Sequence, residues 1–180
     1  RDWPLQDDIR PQLWAQMSEA VTLQAEAPIA YASLCAIKDR KDWLREGMTD
    51  QAHFMLASLT FDQIEMDLGR TEETITDEEK AALRRILRAF SLRNPKVGYM
   101  QAMNFIGILL LRVCIDEEQA FWLLSILCEE IIPFYFAQQL VGVRVASRVI
   151  RLLLQRRLPR LHAHFEATSF PLELFLVQWL

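Results

Sequence analysis

Two short stretches interrupt an otherwise apolar, helix-forming chain with side chains able to do chemistry. The first is Ile64-Glu65-Met66-Asp67-Leu68-Gly69-Arg70. A guanidinium is permanently charged and offers a planar fork of donors. Gly69 is well placed as a left-handed terminator of the preceding helix, which puts Arg70 in the following loop with its guanidinium projecting from the body. The second stretch is Gly98-Tyr99-Met100-Gln101-Ala102-Met103-Asn104, where two amides, each with an acceptor and two donors, open the most hydrophobic helix of the chain. Each stretch alone has an ordinary reading. Asp67 and Arg70 can form a helix-end ion pair, worth little on a surface, and an amide at a helix start can cap it or cross-link helices.

Other chemistries find no support. There is no Gly-rich phosphate loop of the Rossmann or P-loop kind and no nucleophile elbow. His162 and His164 are two apart, so on a helix they diverge, and no Cys or acid stands beside them at metal spacing. His53 is alone on a helical face and reads as a surface or cap histidine. Self-contained catalysis, and with it a metal or cofactor of the chain's own, is not expected. Cys35, Cys114 and Cys128 lie in mostly apolar surroundings and read as reduced core thiols of a cytosolic protein. Twenty basic against 24 acidic residues give a net charge of −4 and a pI of about 5.4, which argues against a general nucleic-acid binder.

The elements that must position these residues are helices. Of 180 residues, 27 are Leu and 18 Ala, with 5 Gly, and no period-two alternation rich in β-branched residues occurs. The expected fold is all-α, in one domain. Pro11 suits the first turn of an opening helix carrying Leu13, Trp14 and Met17 on one face. Pro28 opens a segment with Tyr31, Leu34 and Cys35 at helical spacing. The charged stretch Asp39 to Glu46 is expected to be solvated. Asp50 to Leu68 forms one helix, or two joined near Thr60. Thr76-Asp77-Glu78-Glu79 matches a capping box, and the helix it starts carries Leu83, Ile86, Leu87 and Phe90 on one face before Asn94-Pro95 ends it. Tyr99 to Ile115 is apolar on nearly every side and belongs in the centre of the domain. Asp116 with Gln119 caps Glu117 to Ile132, and Pro133 stops it. Further helices cover Ala137 to Leu158, a short piece after Pro159, and a start at Pro171. The apolar run Val97 to Leu111 is too short to span a bilayer and contains Gln101 and Asn104.

Taken together, the two stretches are more specific. Ile-x-x-Asp-x-x-Arg, followed about thirty residues later by Tyr-x-Gln with Met-Asn two places on, resembles the TBC family of Rab GTPase-activating domains. Arg10 and Trp14 are similar to that family's early Arg-x-x-x-Trp. Asn94-Pro95, Phe121, the segment Leu158 to Phe165 and Trp179 also match, so the resemblance covers nearly the whole chain, as one TBC-type domain over 1–180. Three features depart from the family's pattern: Glu72-Glu73 stand where Phe-Pro is common, Ala102 replaces a common glycine in a change expected to be tolerated, and Leu180 ends the chain where the family continues, which implies a truncated C-terminal lobe.

The resemblance implies an all-α activator that inserts two fingers into the nucleotide site of a GTP-bound Rab. Arg70 is then the arginine finger and Gln101 the second, orienting the attacking water. Asp67 is expected to hydrogen-bond and aim Arg70, Ile64 to anchor the helix, Tyr99 to fix the loop carrying Gln101, and Asn104 to partner one of the two motifs internally. GTP and magnesium belong to the partner, and the chain is an activator rather than an enzyme with its own substrate. The implied setting is vesicle trafficking, from a cytoplasmic pool with peripheral recruitment to membranes. The competing reading is a catalytically silent TBC-fold module that binds a GTPase or scaffold; retention of both Arg70 and Gln101 speaks against it. From Ile131 to Phe165 there is no acid, while Arg144, Arg148, Arg151, Arg156, Arg157 and Arg160 are present. A solvated basic face is the ordinary reading of that run, and attraction to an acidic GTPase surface or anionic lipid the functional one.

Overall fold

The helix from Asp77 to Arg93 is the one on which the first part of the structure is built. In this computed structural model, residues 9–71, 74–114, 116–133, 135–136 and 141–172 are described. Their regular structure is entirely helical, with no strand among the described residues. The chain divides into two compact units, Arg1–Ile131 and Ile132–Leu180.

In the first unit, α1 (Arg10–Met17), α2 (Ala20–Glu26), α3 (Tyr31–Ala36), α4 (Arg40–Arg45), α5 (Gln51–Ser58) and α6 (Phe61–Leu68) precede α7 (Asp77–Arg93). Then come α8 (Met103–Val113), α9 (Glu117–Ile126) and a π-helical turn, Leu127–Ile131. Helix α7 packs against α3, α5, α6, α8 and α9. Its stripe of Leu83, Ile86, Leu87 and Phe90 is fully buried, and α9 supplies Phe121, Trp122 and Leu124 to the same core. In the second unit, α10 (Val141–Arg157) packs on α11 (Pro159–Ala167).

The caps form as the local sequence dictates. Thr76 accepts from the Glu79 amide while the Glu79 carboxylate accepts from the Thr76 amide. Asp116 accepts from the Gln119 amide at 2.8 Å. Asp50 to Leu68 is two helices, hinged where the Thr60 hydroxyl donates to the Ala57 carbonyl at 2.8 Å and lies 3.1 Å from Ser91 Oγ on α7.

Four expectations are corrected. Asp39 to Glu46 is not simply solvated: Asp39 caps α4, and Trp43 is buried against His53 and Phe54. One indole removes enough apolar surface from water to dock a segment whose other side chains stay wet. Gly69 is right-handed (φ −69°), because the Arg70 amide and the Thr71 hydroxyl both donate to the Asp67 carbonyl and carry the turn past the glycine. The hydrophobic helix starts at Met103 rather than Tyr99, and it is not enclosed on all sides, since Phe105 and Leu109 are exposed. His53 is tucked in, with Nε2 2.5 Å from the Leu92 carbonyl. The helix expected from Pro171 and the matched Trp179 lie largely or wholly outside the described residues.

Two predictions test this frame. A Cβ at Gly107 would stand 2.6 Å from Leu83 Cδ1, so α7 and α8 approach only because residue 107 has no side chain. Gly107→Ala should cost about 1–3 kcal/mol by overpacking, read as a lower urea midpoint with an unchanged slope. Arg112 on α8 and the Thr76 amide together hold the Glu79 carboxyl down to about 2 from an ordinary 4.5. Its folded-state pKa is depressed, so its contribution is complete above 4.5 and fades as pH falls toward 2. Glu79→Gln should therefore lower the thermal midpoint at neutral pH, and the gap to wild type should close across that acid window.

Candidate functional site

The last turn of α6 and the loop before α8 are joined by a polar cluster inside the apolar core. Asp67, Thr71, Tyr99 and Asn104 are only 2–5% exposed, so their polar groups are withdrawn from bulk solvent. The Tyr99 hydroxyl donates to Asp67 Oδ2 at 2.9 Å and lies 3.3 Å from Asn104 Oδ1. Gln63, one turn earlier on α6, donates to the same carboxylate oxygen at 3.0 Å. Asn104 Nδ2 donates to Thr71 Oγ1 at 3.0 Å and approaches the Asp67 carbonyl at 3.4 Å. Burial, followed by its hydrogen bond to Asp67, pushes the Tyr99 phenol well above its ordinary range, so it stays a donor at any physiological pH. Ile64 is fully buried behind this cluster and fixes α6 against the core.

Arg70 and Gln101 are each flanked in sequence by members of the cluster. Arg70 lies between Asp67 and Thr71, Gln101 between Tyr99 and Asn104, and both side chains are exposed. Among the described residues the Arg70 guanidinium makes no hydrogen bond or ion pair. The helix-end ion pair with Asp67 is thus absent; the carboxylate receives Gln63 and Tyr99 on Oδ2 instead. Asp67 reaches Arg70 through the backbone instead, its carbonyl accepting the Arg70 amide at 3.0 Å. Asn104, expected to serve one motif, touches both. Gln63 and Thr71 carry no chemistry by composition; each sits four residues from Asp67, a signal of local contact, but nothing local marks the bond of Thr71 to Asn104.

Gln101 is displayed by a strained turn. Ala102 follows it at φ +84°, ψ −17°, a left-handed conformation that costs a residue with a Cβ about 1–2 kcal/mol. The change from glycine is therefore not free, and the strain sits one residue from Gln101.

Elsewhere the reading is plainer. Arg144, Arg148 and Arg151 share one face of α10 and line a cavity of about 370 Å³ with Leu152. Arg151 is paired with Glu166 on α11. Cys128 is buried, Cys35 and Cys114 are partly buried, and all three are free thiols; burial first, then Asp116, raises Cys114 to about 11. No helix among the described residues is long and apolar enough to cross a membrane. Glu72 and Glu73 lie outside the described residues.

An all-helical body that buries Ile64, Asp67, Tyr99 and Asn104 and exposes Arg70 and Gln101 beside them in sequence defines a class of scaffold. Residues 7–180 match the family described as RabGAP-TBC, the Rab-GTPase-TBC domain, and the chain belongs to that family. TBC1 domain family member 2A of Rattus norvegicus is 40% identical over 124 residues, 65% of this chain and 13% of that protein. Small G protein signaling modulator 3 of Homo sapiens is 29% identical over 178 residues, 95% of this chain and 22% of that protein. The crystal structure of the Chlamydomonas flagellar RabGAP TBC domain superposes with a TM-score of 0.71 at 28% identity, covering 98% of this chain and 55% of that one. The chain thus spans less than a quarter of the two relatives' length.

Ala102→Gly should relieve the left-handed strain and, because the methyl is exposed, lose no packing. It is expected to raise stability by about 1 kcal/mol in urea unfolding.

Proposed function

We propose that the chain is a GTPase activator for a Rab-family small GTPase, supplying Arg70 and Gln101 in trans to GTP bound on the partner. The observation that carries the reading is the joining of the two loops by buried hydrogen bonds, with an exposed guanidinium that no described residue pairs and an exposed amide next to them in sequence. Phosphoryl transfer spreads charge over the phosphate oxygens, and a guanidinium delivered into a water-excluded cleft stabilises that charge. An arginine finger in general supplies about 10³–10⁵-fold, or about 4–7 kcal/mol of barrier. Gln101 can accept a proton's hydrogen bond from the attacking water and donate toward the phosphate with the same amide, which fixes the water in line. Ile64, Asp67, Tyr99 and Asn104 hold these two side chains in place and do not touch the reacting atoms. The nucleotide and magnesium are the partner's, so the chain turns over nothing by itself. A cytoplasmic protein recruited peripherally to a Rab-bearing membrane fits this role.

The test is single-turnover GTP hydrolysis across a panel of purified Rabs, with wild type, Arg70→Ala, Arg70→Lys and Gln101→Ala side by side. Arg70→Ala should remove about 10³-fold of the stimulation. Arg70→Lys should fail nearly as badly, because an ammonium lacks the planar fork. Gln101→Ala should lose most of it. Circular dichroism should be unchanged in all three, since neither side chain is packed in the core. Full stimulation by Arg70→Ala or Gln101→Ala would defeat the assignment, and binding to a GTPase without acceleration would favour the silent module.

A further inference from the structure

Thr71 belongs to neither motif yet is bonded to both. Its side chain is buried at 3% exposure, directly after Arg70. A threonine hydroxyl has one proton to give and lone pairs to receive, and here both capacities are used. It donates to the Asp67 carbonyl at 2.9 Å, the oxygen that also accepts the Arg70 amide. It accepts from Asn104 Nδ2 at 3.0 Å, in the first turn of α8 just past the turn that displays Gln101. We propose that Thr71 is the positioning residue that makes the Arg70 and Gln101 loops a single rigid unit, so that the two side chains enter a partner's nucleotide cleft together. The functional half of this proposal rests on the two-finger reading; the mechanical half does not.

The chemistry of the position is restrictive. Valine has the shape of threonine but can neither donate nor accept, so it would leave the buried Asn104 amide with only the longer of its two contacts, 3.4 Å to the Asp67 carbonyl. Serine keeps both bonds. The Tyr99–Asp67 bond would survive in either variant, so the core should hold while the link between Thr71 and α8 is lost.

The experiment combines kinetics with amide exchange on the full chain. Thr71→Val should lower kcat of the stimulated hydrolysis by about 10- to 100-fold, the scale expected for an ångström of misplacement, while KM for the GTPase stays nearly constant. Thr71→Ser should restore most of kcat. Amides of the 99–103 turn should exchange faster in Thr71→Val while those of α7 do not. In the wild-type chain, the hydrogen-bonded amides of Arg70 and Met103 should share one opening free energy and one denaturant dependence, as two loops that unlock together must. That last measurement needs no variant and stands even if Thr71→Val fails to fold. Unequal opening of the two amides, unchanged kcat in Thr71→Val, or a loss carried wholly by KM would overturn the proposal. Full stimulation by Arg70→Ala would instead sink the finger reading, and the exchange data would still decide whether the loops are coupled.

Discussion

A carboxylate buried in a helical core needs hydrogen-bond donors, and the arrangement of the candidate site follows from where Asp67 Oδ2 finds its two. Burying an unpaired charge costs far more than a small domain can spare. Gln63 and Tyr99 supply the donors from one turn back and from the loop thirty-two residues on. Because Tyr99 reaches Asp67, the loop before α8 is tied to the end of α6. That bond is one of two ties between loops that share no regular structure; the other runs from Asn104 to Thr71.

The rest of the first unit keeps that contact in register. Helix α7 touches both α6 and α8, and its fully buried Leu83, Ile86 and Leu87 leave neither helix room to slide. Gly107 lets α8 come close enough for its first turn to present Asn104 inward. At the far end of α8, Arg112 reaches across to Glu79 in the first turn of α7 and ties the two helices a second time. Arg85, Glu117 and Tyr31 do the same for α7, α9 and α3, and there the hydrogen bonds to Arg85 and Tyr31 outweigh burial, so the Glu117 carboxyl titrates below its ordinary range. These bonds are partly exposed and individually small; their effect is to restrict motion rather than to add much stability.

Much of this could be read from the sequence wherever the cause is local. The capping box at Thr76 and Glu79, the Asp116 cap and the apolar stripe of α7 depend on residues within one or two turns, and each forms. The two motifs also stood out, because a polar residue in an apolar run is conspicuous. Errors arose where tertiary contacts decided the outcome. Gly69 could be left-handed, but the Asp67 carbonyl takes the next two donors and keeps the chain right-handed. Six charges in Asp39 to Glu46 suggested solvent, yet Trp43 alone decided which way the segment faces. Asp67 was paired by spacing with Arg70, when a partner distant in sequence had the stronger claim. Thr71 was unreadable in principle, since its importance lies in an amide thirty-three residues away.

The separation between what is bonded and what is left unbonded carries a functional logic of its own. Had Asp67 paired with the Arg70 guanidinium, that ion pair would have to be broken before the arginine could meet an anion, and the cost would be subtracted from whatever the arginine stabilises. By spending the carboxylate on Tyr99 and Gln63, the structure holds the Arg70 backbone through the Asp67 carbonyl and leaves its charge unspent. Gln101 is treated the same way: Tyr99 and Asn104 are fixed on either side, Ala102 absorbs the strain of the turn, and the amide itself is uncommitted. Preorganisation of this kind reduces the ordering that remains when a partner binds. It also explains why the exposed residues are the long, flexible ones and the buried residues have few rotatable bonds. The last few ångströms can adapt to a partner only if the base from which they extend does not.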